Sequence, residues 1–351
     1  MPKKDFFIKE SDLDDYQRNL LYRTLDQSMV VSGCAGSGKS VIALHKAKQI
    51  QKEKGNDYQI IVFTKSLSSY MNSGRQALEL KNDFNYHWHW KNRLDCPKSD
   101  FIIVDEIQDF TKEEIDEFKK ATRKHFFFFG DTAQSIYDGL KDTQDVRDIA
   151  YQAGLSEFPL YFNYRLPKPI AKVTESYIGV RTRYNEGTYK SNENSIPRIL
   201  SYPNYDKQIE AIARIIKNNN LTDVGILFPH NEQVKSASEV LTQKGINNEV
   251  KFEDRANWRN SRNTLNFETS NPKLMTYHSA KGLQFETVFL PDCTIENDDD
   301  GYSKQKSLYV AMTRTYKNLY ILHSNDLTSF IDGNVPESLY KTTEFDEIDN
   351  I

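Results

Sequence analysis

The stretch that most constrains this chain is residues 29–44, MVVSGCAGSGKSVIAL. Met29, Val30 and Val31 form a short apolar run, which reads as a buried strand. From Ser40 onward the apolar residues fall at Val41, Ala43, Leu44, Ala47 and Ile50, a helical spacing. Between them lies GCAGSGKS, residues 33–40, which fills the pattern G-x-x-x-x-G-K-[ST]. Strand, glycine-rich turn and helix, in that order, make a phosphate-binding loop. Gly33, Gly36 and Gly38 let main-chain N–H groups of the loop, through Ala35 and Ser37, close around phosphate oxygens. The helix N-terminus adds partial positive charge at the same spot. Lys39 is expected to reach the outer phosphates of a nucleotide, and the Ser40 hydroxyl to ligate Mg²⁺.

The rest of the composition sets bounds. At 351 residues the chain has room for two domains of ordinary size. Its net charge of −4 gives no overall basic signature, so any nucleic-acid contact must come from a local cleft. No apolar run approaches the ~20 residues that span a bilayer, and the N-terminus has no signal-type apolar stretch. The expectation is a protein with no membrane partner. Cys34, Cys96 and Cys293 form no metal-type spacing, and an odd, sparse set suits a reducing, cytoplasmic setting.

Along the chain, residues 11–27 read as a helix capped by Asp14 or Asp15, with Gln17 just upstream of the loop. A side-chain amide donates and accepts at once, which matches an adenine edge. Residues 58–64, YQIIVFT, read as a second buried strand. FNYHWHW, residues 84–90, interleaves aromatics with two histidines ahead of Lys91 and Arg93. The spacing is poor for zinc, and base stacking and core packing are equal readings for Trp88 and Trp90. FIIVDE, residues 101–106, is an apolar strand ending in two acids, and open α/β sheets bind ligands at that end. Asp105 is expected to hold Mg²⁺ and Glu106 to polarise the attacking water. HFFFFG, residues 125–130, is another buried strand, leading to Gln134, a candidate γ-phosphate contact. Residues 143–159 read as connection, and a fresh α/β unit begins near residue 159. The expected domains are therefore 1–158 and 159–351. Ser307–Lys317 is expected to be a helix carrying Arg314, and the end of the chain is an acidic tail.

Seven such blocks stand in one order, and the set resembles a superfamily 1 helicase of the UvrD/Rep type over most of residues 11–323. Gln17 matches the family's adenine-reading glutamine, GCAGSGKS its first motif, and VFTKSLSSYM (62–71) the next, whose phenylalanine is here Phe63. VDEIQDF (104–110) matches its acidic motif, GDTAQSIY (130–137) the third, and NYR (163–165) the fourth. TYHSAKGLQF (276–285) and YVAMTRT (309–315) match the fifth and sixth. The resemblance implies an α/β fold of two RecA-like P-loop NTPase domains in tandem, each a parallel sheet flanked by helices, with ATP held between them. It implies Tyr164 on adenine, and Arg165 and Arg314 as arginine fingers on the γ-phosphate. Phe63, Thr64, Tyr137, Thr276 and His278 are implied to grip single-stranded nucleic acid, and the motor to run 3′ to 5′ on DNA, with RNA left open.

Two departures matter. GLQF stands where the family has GLEF, so Gln284 replaces a glutamate that holds the ribose, and the tryptophan that follows Tyr137 in the family is missing. Residues 72–100 and 251–273 are also too short for the inserted domains of ~50 residues or more that relatives carry there. The expected activity is thus that of a bare motor core: an ATP- and Mg²⁺-dependent translocase on single-stranded DNA. The alternative is a DNA-stimulated ATPase subunit that senses nucleic acid and regulates or feeds a partner such as a nuclease in repair or phage defence.

Overall fold

The computed structural model describes residues 8–131, 142–179, 185–253, 261–294 and 304–343. The chain divides into two compact units, one ending at Tyr164 and the other beginning at Arg165. Among the described residues, no helix is long and apolar enough to cross a membrane.

The first unit runs α1 (Asp15–Leu21), β1 (Met29–Gly33), α2 (Lys39–Glu53), β2 (Tyr58–Val62), α3 (Lys65–Ala77), β3 (Phe84–Tyr86) and α4 (His87–Asn92). It continues β4 (Ser99–Val104), α5 (Lys112–Ala121), β5 (Thr122–Gly130), α6 (Val146–Gln152) and β6 (Glu157–Leu160). Its sheet has the order β3-β2-β4-β5-β1-β6, and every pairing is parallel. A parallel sheet is covered on both faces, so its strands must be apolar throughout rather than alternating. That is what Val30, Val31, Ile60–Val62, Ile102–Val104 and Phe127–Phe129 provide, all at 0–1% exposure. The run of phenylalanines in β5 alternates between faces: Phe126 stacks on Phe128 with centroids 4.3 Å apart, and Phe127 stacks on Phe101 at 6.5 Å. Caps fix where helices begin. Asp14 accepts from the Gln17 backbone while the Gln17 side chain accepts from Asp14, and Thr111 and Glu114 do the same for α5.

The second unit comprises α7 (Lys168–Val173), β7 (Arg198–Ser201), α8 (Tyr205–Asn218), β8 (Val224–Phe228), α9 (Asn231–Gln243) and β9 (Glu249–Phe252). After these come β10 (Arg262–Asn263), β11 (Lys273–Thr276), β12 (Phe285–Leu290), α10 (Lys304–Met312), β13 (Thr315–His323) and β14 (Lys341–Thr343). The strands form one sheet in the order β10-β9-β11-β8-β12-β13-β7-β14, parallel except for the β10–β9 pair. Ile209, Ile212, Ile215 and Ile216 put one face of α8 into the core with Ile226, Phe228, Leu274 and Leu322.

Three readings of the sequence differ from this. Residues 143–159 are not connection: α6 and β6 lie there, and β6 pairs with β1, so residue 159 falls within a strand of the first sheet. Polar and proline residues in EFPL hid a strand that has only one neighbour to satisfy. Arg314 does not lie on a helix, because α10 ends at Met312 and β13 begins at Thr315. The irregular stretch 251–272 contains the end of β9 and the short β10.

Gly225 sits in β8 between β11 and β12, and a Cβ built there would stand 2.5–2.8 Å from three carbons of the Phe285 ring. The missing side chain is what lets that ring lie across the strand. Gly225→Ala is therefore expected to destabilise the protein by ~1–3 kcal/mol through overpacking, read as a lower denaturant midpoint. Adding Phe285→Leu should recover part of the loss.

Candidate functional site

All six strands of the first unit end at one edge, because all are parallel. The segments after β4, β5, β1 and β6 therefore emerge side by side, and they carry Asp105, Asp131, the 33–40 loop and Asn163-Tyr164. Two glycines of the loop take left-handed backbone angles, Gly36 at φ 77° and Gly38 at φ 88°, the latter opening α2. The loop is clamped from outside. The Gln17 Nε2 donates to Ser37 O at 3.0 Å, the Tyr164 N–H donates to Gly36 O at 3.0 Å, and the Asn163 amide donates to Ala35 O. Tyr164 also donates its hydroxyl to Asp14, which ties the segment after β6 to the cap of α1. A Cβ at Gly38 would meet Gln17 Nε2 at 2.5 Å, so glycine is required where the helix starts.

The chemistry of the loop fits a polyphosphate. Ser37 Oγ is buried and has no hydrogen-bond partner among the described residues, an oxygen suited to a phosphate. Lys39 is buried, donates to Gly33 O at 2.8 Å and Cys34 O at 2.9 Å, and stands 4.0 Å from the Asp131 carboxylate. Its ammonium thus lies over the loop.

The metal-type donors converge next to it. Ser40 Oγ donates to Asp105 Oδ2 at 2.5 Å, joining the start of α2 to the end of β4. Asp105 is fully buried, and burial first, then the neighbouring Glu106 charge, push its pKa well above the usual carboxylate range. A carboxylate in that state gains from a cation. The set is all oxygen, as Mg²⁺ prefers, with only two protein donors. Mg²⁺ typically completes its shell with water and substrate phosphate rather than a protein cage. No cluster of three or more His, Cys, Asp or Glu residues suited to a metal occurs among the described residues.

Glu106 has a left-handed backbone, φ 57°, in the tight turn that follows β4. Its carboxylate accepts from Gln108 Nε2 at 2.6 Å, and Gln108 Oε1 accepts from the Asp131 N–H at 2.8 Å. Gln108 is wholly buried and thus links the acid after β4 to the segment after β5. A Cβ at Gly130 would come within 2.7 Å of Gln108 Oε1, so that glycine makes room for the link.

Two family models match the sequence over separate parts. The viral superfamily 1 RNA helicase core domain matches residues 29–196, and the UvrD-like helicase C-terminal domain matches residues 256–326. The chain is of the superfamily 1 helicase type. Among solved structures, it is similar to the arterivirus nonstructural protein 10 helicase, with 16% identity and a TM-score of 0.45 over 93% of this chain and 64% of that one. It is also similar to the C-terminal domain of a possible DNA helicase from Lactobacillus plantarum WCFS1, with 19% identity and a TM-score of 0.37 over 51% of this chain and 98% of that one. The chain thus spans just under two thirds of the arterivirus protein's length. Among curated proteins, none matches this sequence. The helicase domains make the chain an ATP-hydrolysing enzyme of the helicase type.

In this helicase-type chain the second unit gathers its own motif residues. Arg165 donates from Nε to Gln284 Oε1 at 3.1 Å and from Nη1 to Thr313 O at 3.2 Å. Arg314, next in sequence, is 1% exposed; it donates to Val310 O at 2.8 Å, Thr313 Oγ1 at 2.9 Å and Leu283 O at 3.4 Å. The fourth, fifth and sixth motifs therefore meet around Arg165. Thr276 is buried and its hydroxyl donates to Ser279 Oγ, with His278 half-buried in the same turn. In the first unit, Phe63 is half-buried edge-on to Phe110 with centroids 5.2 Å apart, and Thr64 caps α3 by accepting from Leu67 N. Gln134 and Tyr137 lie outside the described residues.

Gln108, Asp131, Asn163 and Asp14 were not singled out as site residues from sequence. Gln108 lies inside the quoted acidic motif, so a signal was there. Asn163 reaches the Ala35 carbonyl, Asp131 gives its N–H to Gln108 and faces Lys39, and Asp14 takes the Tyr164 hydroxyl, pairings between distant segments that no spacing rule reports.

Lys46 joins the two segments that frame the loop. It projects from α2, is 1% exposed, and donates to Leu21 O at 2.9 Å at the end of α1 and to Arg23 O at 2.7 Å just beyond it. Burial pulls its pKa down from 10.5 to about 8, with Glu53 opposing and Arg23 assisting. The folded protein then loses this proton near pH 8 while the unfolded chain keeps it to about pH 10.4. Stability therefore rises with pH across that window, by up to about 1.4 kcal/mol per pH unit from this group. Denaturation of wild type and Lys46→Met at several pH values should show their difference flat below pH 8 and moving in favour of wild type above it.

Proposed function

We propose that this chain is an ATP- and Mg²⁺-dependent motor that moves 3′ to 5′ along single-stranded DNA in the cytoplasm. The observation that carries the nucleotide half is the bond from Ser40 to Asp105 beside a Glu106 held by Gln108. In this reading Gln17 and Tyr164 bracket the adenine, and Gln284 is the residue assigned to the ribose. The backbone of Gly33, Ala35, Gly36, Ser37 and Gly38 wraps the phosphates, and Lys39 swings from its loop carbonyls to the phosphate charge. Mg²⁺ held by Ser40 and Asp105 supplies charge neutralisation for the outer phosphates. Glu106 takes a proton from water as the water oxygen bonds to the γ-phosphorus and the bond to the ADP oxygen breaks. Arg165 and Arg314 stabilise charge on the transferring phosphoryl group, and Gln134 senses it. Phe63 and Tyr137 lie under bases, with Thr64, Thr276 and His278 near phosphates.

The short stretches 72–100 and 251–273 favour a second reading. Among the described residues, β3 and α4 lie in the first and β10 in the second. In that reading the chain is a DNA-stimulated ATPase subunit that switches a partner such as a nuclease, and unwinds duplex poorly alone. Directional unwinding by the isolated chain on tailed duplexes separates the two: efficient 3′–5′ unwinding rejects the subunit reading.

Lys39→Ala and Glu106→Gln are expected to fail differently. The first removes the charge that meets the phosphates, so affinity for a labelled ATP analogue falls. The second keeps the shape but loses the base, so the analogue still binds while turnover drops by ~10²-fold or more. Wild-type turnover by Glu106→Gln on saturating oligonucleotide rejects the assignment.

Arg165→Ala and Arg314→Ala should each lower turnover, by as much as ~10³-fold, with little change in nucleotide affinity. Because Arg314 is buried among its own unit's carbonyls, its thermal denaturation is measured alongside. Full activity in both variants rejects their role in hydrolysis.

A further inference from the structure

The aromatic segment 84–92 splits in the fold. Trp90 is 0% exposed, donates its indole N–H to Gln59 Oε1 at 2.6 Å and packs on Phe118 in the core. Trp88, two residues earlier, is 49% exposed. Trp88 thus leaves half its surface in water while Trp90 fills the core. The Arg93 guanidinium lies 5.6 Å from the Trp88 ring centroid, and the centroid of the His89 ring lies 5.6 Å away. Lys65, exposed at the first turn of α3, lies over the Tyr86 ring at 5.4 Å, and Tyr86 meets His89 edge-on at 5.4 Å. Slight desolvation first, then the charges of Arg93 and Lys65, hold the His89 pKa below its usual value, so both cations act on one patch. Lys91 on the same helix is tied to Glu117 at 2.9 Å and adds no free charge, and Asp95 is the acid that follows the patch in sequence.

The place of the patch decides its use. Val62 at the end of β2 is in register with Tyr86 at the end of β3. Phe63 and Thr64 leave the sheet after the first, and His87 and Trp88 after the second, at the same edge and on adjacent strands. We propose that Trp88, with Arg93 beside its ring and Lys65 over the nearby Tyr86 ring, is a base-stacking platform for single-stranded polynucleotide, next along the strand from Phe63. The proposal rests on the nucleic-acid half of the function above. A π-face with cations beside it suits bases joined by phosphates, and stacking is blind to the sugar and tolerant of sequence.

The test uses the full chain with labelled oligo(dT) and oligo(rU). On whichever strand the wild type binds, Trp88→Ala should weaken affinity about 10-fold, within the range that one base–aromatic stack supplies. Trp88→Phe should stay within about 3-fold while the strand-induced quenching of intrinsic tryptophan fluorescence falls. Arg93→Gln should lower the slope of log affinity against log salt by about 1. Tyr151→Ala, which removes an exposed aromatic (82%) on α6, should change none of these. Wild-type affinity in Trp88→Ala, with its thermal denaturation unaltered, overturns the platform and leaves the patch as a protein-facing surface. Failure of the wild type itself to bind either strand at low salt overturns the nucleic-acid reading, and the platform with it.

Discussion

The hydrogen bond from Ser40 to Asp105 joins residues 65 apart in sequence, and the site depends on it. It forms because β1 and β4 run parallel with β5 between them, so the glycine-rich loop and the acidic turn leave the sheet at one edge. The sheet in turn depends on apolar strands buried on both faces, above all Phe127, Phe128 and Phe129 of the middle strand. The phosphate loop is thus held by a core. Gln17, Asn163 and Tyr164 add bonds to the loop carbonyls from segments that lie before and after it in the chain.

The same edge sorts two tasks by strand position. From β4 to β6 it carries Asp105, Asp131, the loop and Tyr164, the region proposed above for the nucleotide. From β2 to β3 it carries Phe63, Thr64 and Trp88, which suit a polynucleotide. Phe110, the last residue of the acidic motif, packs edge-on against Phe63, so the two parts of the edge meet in one hydrophobic cluster. In the second unit the motifs converge on Arg165 by hydrogen bonds to Gln284 and Thr313. Gln284 stands where the family has a glutamate, and a neutral amide beside the guanidinium leaves that arginine's charge uncompensated by this neighbour.

Several elements were legible in the residues alone. The strand–loop–helix at 29–53, the acid-tipped strand ending at Val104 and the phenylalanine strand ending at Gly130 are where apolar runs and glycines place them. The cap was legible only as Asp14 or Asp15, and the structure selects Asp14, whose capping-box partner Gln17 is three residues on. β6 was not, since an edge strand with one neighbour needs no apolar run, and EFPL carries a glutamate and a proline. The end of α10 two residues before Arg314 was also hidden, because the YVAMTRT segment continues a helical spacing that the start of β13 overrides.

What the sequence determined by itself is local chemistry: a loop that wraps phosphate, acids at the end of a buried strand, and a set of motifs of the helicase type. These are read from neighbours within a few residues, where backbone angles and side-chain periodicity act. What only the tertiary structure decided is which groups meet. The link from Glu106 through Gln108 to Asp131, the grip of Asn163 on Ala35, and the burial of Trp90 against the exposure of Trp88 all follow from strand order. Strand order is set by which apolar faces pack together across the whole unit, and no short window of sequence contains that information.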